Sequence, residues 1–165
     1  MTGTILSELH EEAKSTKRLL ERIPEESLAW QPHPKSLSLG QLSLHVARIP
    51  GGMSRLAQRE VFDVLAVRGD YTVPTSKQAI LAAFEDGISA ATTYLTNLTA
   101  EEAATIWRMK AGEKEIMAVP RVGMLRVLLL NHWYHHRGQL TVYLRLLDVP
   151  LPIVYGRSAD ELPSF

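Results

Sequence analysis

The sequence predicts an all-α protein, a four-helix bundle formed by one domain over residues 1–165. Three observations lead to that class. Apolar residues recur at alternating spacings of three and four in four separate stretches, which is the signature of one buried helix face. Prolines and small polar residues fall between those stretches, where helices start and stop. A hydrophobic share of 45% with 22% charged residues in a chain of 165 lies in the globular range and suits one domain.

The first helix is predicted over residues 4–23, with Leu9, Ala13, Thr16, Leu20 and Ile23 on one face, and Pro24 closes it. Pro32 and Pro34 make the segment from Ala29 to Leu37 extended or turn-like, because they lack amide donors and bias their predecessors away from the helical region. Ser36 or Ser38 is placed to cap a second helix from about Leu39 to Phe62, whose seam is Leu42, His45, Ile49, Gly52 and Leu56. Pro50 is expected to kink it, since its missing amide deletes the bond to residue 46.

A connector from Gly69 to Pro74 leads to Thr75 or Ser76, either of which can cap a third helix reaching Leu98 along Ile80, Phe84, Gly87, Ala91 and Tyr94. Residues 99–120 read as a long loop in which Gly112 is placed to turn a short hairpin before the last helix. The fourth helix lies between Pro120 and Pro150, with the seam Leu125, Leu129, His132, His136, Gln139, Tyr143 and Leu147. An extended tail follows from Leu151 to Gly156.

Charge excludes some functions. Eighteen basic residues balance eighteen acidic ones, so the chain lacks the net positive charge on which nucleic-acid binding relies. There is no cysteine, which removes disulfides, iron–sulfur clusters, zinc ribbons and a cysteine nucleophile, and any metal must be held by His, Asp, Glu or backbone oxygen. The acidic start, Glu8 to Glu12, and the absence of an apolar run near the roughly 18 residues of a membrane span predict a cytoplasmic protein with no membrane partner.

The chemistry is expected at histidine. His132 and His136 are four apart, so on a helix their side chains share one face, close enough to reach one metal ion. Both lie on an apolar seam, and His45 holds the equivalent place between Leu42 and Ile49. Three inward imidazoles need partners, and a divalent metal satisfies all three while leaving coordination positions for water or substrate. Imidazole suits zinc, nickel, iron and copper; zinc or nickel is the expectation. Gln139, three residues after the pair, is read as holding a bound water or substrate or else bonding a core carbonyl, and Asp86, beside Gly87, as a solvated surface residue or else one that orients a ligand histidine. His135, His10 and His33 lie off the seams and are read as structural or surface residues. Arg121, Arg126, Arg137 and Arg145 spread around their helix and read as a solvated face, and Gly138 suggests a neighbouring helix in close approach.

Three blocks carry a family likeness: Trp30-Gln-Pro32 with Ser38-Leu-Gly-Gln-Leu-Ser-Leu-His45, then Asn131-His132-Trp-Tyr-His-His136-Arg-Gly-Gln139, then Val149-Pro-Leu-Pro-Ile-Val-Tyr-Gly156. In them the chain resembles the DinB-like superfamily, which includes the YfiT-type proteins. The resemblance implies up-down-down-up connectivity, a homodimer, and a divalent metal held by His45, His132 and His136. Characterised members of that superfamily include bacillithiol-using thiol S-transferases and a mycothiol-dependent maleylpyruvate isomerase, in which the metal is thought to activate the thiol. The expectation is therefore a metal-dependent thiol S-transferase with a low-molecular-weight thiol cosubstrate; a metal-water hydrolase and a noncatalytic metal or small-ligand module of the stress response are the alternatives. Pro50, Gly51 and Gly52, soon after His45, are expected to alter the pocket floor relative to other members of that superfamily.

Overall fold

A computed structural model describes residues 2–67 and 72–162. Four long helical rods enclose one apolar core. Helix α1 is Thr2–Glu21, α2 is Leu39–Ala57 and α3 is Lys77–Asn97; α4, Ala100–Ala104, is short; α5 is Arg121–Met124 and α6 is His132–Leu146, joined by a π-helical segment over Leu125–Asn131. The π segment makes α5 and α6 one continuous rod, which is the predicted fourth helix. Helix α2 packs against both α3 and the last rod, and α1 packs on α3 and, less extensively, on the last rod. The Gly69–Tyr71 part of the predicted connector lies outside the described residues.

Local sequence accounts for the boundaries. Ser38 caps α2 in a capping box: its hydroxyl accepts from the Gln41 amide while the Gln41 side chain accepts from the Ser38 amide. Ser76 caps α3 by accepting from the Ala79 amide. Helix α2 runs on through Pro50. The proline has no amide to give the Val46 carbonyl, and the indole of buried Trp133 donates to that carbonyl instead, at 3.0 Å. Gly51 and Gly87 let α2 and α3 approach closely, since a Cβ on Gly51 would stand 2.9 Å from the Gly87 Cα.

The all-α expectation is corrected by a small three-stranded sheet. Helix α2 stops at Ala57 rather than Phe62, and Val61–Asp63 forms strand β1. The loop expected over 99–120 contains α4 and a hairpin of β2, Ile106–Ala111, and β3, Lys114–Pro120, turned at Gly112 with φ +60°. β1 pairs parallel to β2, and β2 pairs antiparallel to β3 with an irregularity between Met109 and Lys110. The strands show no clear alternation because β2 and β3 are mostly solvent-facing, with Trp107 as the one fully buried strand residue among the described residues. The Trp107 indole donates to the Leu56 carbonyl at 3.3 Å, and Arg121 donates to the Ala57 carbonyl at 2.7 Å, so the sheet is seated on the end of α2. Among the described residues no helix is long and apolar enough to cross a membrane.

Candidate metal centre

The capped start of α2 and the first turn of α6 bring His45, His132 and His136 together, each half-buried, with one ligand nitrogen per ring and all three nitrogens within 4.8 Å of one another. His45 Nε2 and His132 Nε2 are 3.3 Å apart. Two nitrogens about 2.0–2.1 Å from a tetrahedral zinc stand about 3.3–3.4 Å apart, so this spacing fits a shared cation.

Two of the rings are oriented from behind. In the π segment the His132 amide is directed at the carbonyls of Val127 and Leu129. The Leu128 carbonyl, which an α-helical His132 amide would occupy, accepts instead from His132 Nδ1–H at 3.2 Å. His136 Nδ1–H donates to Gln139 Oε1 at 2.7 Å. Both bonds leave Nε2 as the free lone pair, the arrangement found behind metal-bound histidines. Burial first, and then the neighbouring His136 and His132 rings, lower the His45 pKa to about 4. Burial also lowers His132 and His136, with further lowering from adjacent imidazoles. The rings are therefore neutral at pH 7, as ligands must be. The donor set, its spacing and its protonation fit a divalent cation.

Several expectations are adjusted here. The ligand row lies at the edge of the core: past Leu129 the fully buried line runs through Trp133, Arg137, Leu140 and Leu144, one position along from the predicted seam. Gln139 is solvent-exposed and orients His136 rather than facing the interior. Asp86 is exposed on α3 and makes no hydrogen bond to a histidine among the described residues. A Cβ on Gly138 would meet nothing within 4 Å, so no helix approaches there. His135 is exposed, His10 pairs with Thr92 at 2.9 Å, and His33 Nδ1 accepts from the Lys35 amide.

Arg137 is the residue that sequence reasoning misplaced. It is 2% exposed and paired with Glu12 at 2.6 Å; its guanidinium also donates to Ser15 and Thr16 and lies over the rings of Tyr134 and Tyr155. Its place in the four-residue step from Trp133 was the available signal.

A helical bundle with three convergent imidazoles defines the class, and comparison with known proteins gives the family. The sequence model of the DinB family matches residues 1–163, and the chain belongs to that family. It is 28% identical over 157 residues to the uncharacterised protein YrdA of Bacillus subtilis, covering 93% of this chain and 87% of YrdA. A crystal structure of a DinB-like protein from Bacillus cereus superposes with a TM-score of 0.69 at 26% identity, over 92% of this chain and 95% of that one. The DinB-like protein YjoA of Bacillus subtilis shares the fold, with a TM-score of 0.70 at 19% identity over 93% and 99% of the two chains.

Proposed function

We propose that the protein binds one divalent metal ion, zinc or nickel, through His45, His132 and His136, and uses it as a thiol S-transferase-like enzyme. The observation that carries this reading is the convergence of three neutral imidazoles within 4.8 Å, two of them held by hydrogen bonds at Nδ1. A bound cation would supply Lewis acidity that ionises a thiol, or a water, at its remaining positions. The chain's own contribution is geometric. The rings are half-buried, so a small solute can reach them, while Leu128 and Gln139 keep His132 and His136 aimed inward. With no cysteine in the sequence, a thiol nucleophile has to come from a low-molecular-weight cosubstrate. The family resemblance supports that cosubstrate, up-down-down-up connectivity and a homodimer as parts of the same proposal.

Metal analysis of the purified protein should give about one equivalent per chain, against near-zero for His45→Ala, His132→Ala and His136→Ala. Stoichiometric metal in all three variants would overturn the ligand set. For the reaction, metal-loaded protein should accelerate attack of low-molecular-weight thiols on model electrophiles. A loaded protein no faster than the metal-free form leaves a binding module.

A further inference from the structure

A groove of about 310 Å³ runs beside the C-terminal half of α2, floored by Met53, Leu56, Phe62 and Val67 and flanked by Arg55 and Arg59. Its volume is at the lower limit of small-molecule sites, about 300–1,000 Å³. Two observations at this groove point to a ligand.

The first is charge. Arg55 and Arg59 form no ion pair and donate no hydrogen bond among the described residues, whereas Arg108, Arg126, Arg137 and Arg145 are each paired with a carboxylate. The nearest acid in sequence, Glu60, lines a different recess with Thr105 and Arg121. Two unspent guanidiniums therefore border an apolar floor, and guanidinium recognises carboxylate by paired, charge-assisted hydrogen bonds.

The second is Gly52. A glycine inside a helix costs about 1 kcal/mol relative to alanine. Gly51, its neighbour, has a packing reason in the contact with Gly87, but a Cβ on Gly52 would meet nothing within 4 Å. Gly52 lines the groove, so the missing side chain leaves the groove open instead of admitting another helix.

We propose that this groove binds a small amphiphilic anion, an apolar chain or ring carrying a carboxylate, with the apolar part on Met53, Leu56, Phe62 and Val67 and the carboxylate between Arg55 and Arg59. The assignment is independent of the metal reading: Gly52 is seven residues from His45, about 10 Å along the helix.

The test is a titration with octanoate, and with 1-octanol as its uncharged counterpart, followed by amide chemical shifts. Octanoate should shift the amides of Met53, Leu56, Phe62 and Val67 and bind about tenfold more tightly than octanol, as charge-assisted bonds allow. The double variant Arg55→Gln/Arg59→Gln should remove that difference. Gly52→Leu has room to fold, because open space faces its Cβ, and should fill the groove and abolish binding with an undiminished Tm. His45→Ala should bind octanoate as the wild type does, which separates this proposal from the metal centre. Equal affinity for octanol, shifts mapping elsewhere, or unchanged binding by Gly52→Leu would overturn it. Dissociation of a dimer by Gly52→Leu in sedimentation would likewise overturn it, by showing that a second copy occupies the groove.

Discussion

Gln139 shows how one exposed side chain can matter to a site it does not enter. Its Oε1 accepts the His136 Nδ1 proton at 2.7 Å, so Gln139→Leu should leave the fold unchanged and weaken metal binding about 10–100-fold in a chelator competition. Unchanged affinity would make this bond incidental. His45 makes a second prediction, on pH. Its pKa is about 4 in the folded protein against about 6.5 when unfolded. Between those values the unfolded chain binds a proton that the folded one does not, so stability falls as pH drops from about 6.5 towards 4. The Tm of metal-free protein should decline through that window, and less steeply in His45→Gln. Parallel curves for the two proteins would remove His45 from the effect.

At the scale of elements, one carbonyl of α2 couples its proline to the last rod. Pro50 frees the Val46 oxygen and the Trp133 indole occupies it, while α2 carries His45 and α6 carries His132 and His136. Trp133→Phe should cost about 1–3 kcal/mol in urea denaturation, because the buried acceptor is then unsatisfied. In a Pro50→Ala background the same change should cost less, since residue 50 now supplies an amide. Additive costs in this double-mutant cycle would show that the indole contributes packing alone. The π segment acts in the same region: by displacing the His132 amide from Leu128 it gives the ring its carbonyl partner. Nothing in the run Leu125-Arg-Val-Leu-Leu-Leu130 distinguishes a π turn from an α turn, since either buries leucines at similar spacing.

At the scale of the whole molecule, the tail after α6 is held against the first and last rods. Arg137 joins Glu12 of α1 to the Tyr155 hydroxyl, Arg18 pairs with Glu161, and Arg145 pairs with Asp160. The exposed pairs contribute little individually. Arg137 is different, because truncating one partner of a buried pair strands the other: Arg137→Ala should cost about 3–5 kcal/mol and open the tail to proteolysis. A loss below about 1 kcal/mol would show that Glu12 is already well solvated. Spacing, caps and prolines were enough to predict four helical rods, starts at Ser36 or Ser38 and at Thr75 or Ser76, the Gly112 turn and the three histidines, because these depend on contacts within a few residues or on a 3.6-residue period. The parallel pairing of Val61–Asp63 with β2, the burial of Arg137, the Leu128 carbonyl behind His132 and the Trp133 bond across to Val46 were decided by tertiary structure alone. Each joins groups whose meeting depends on how rods and strands rotate and pack against one another, and local periodicity carries no record of that rotation.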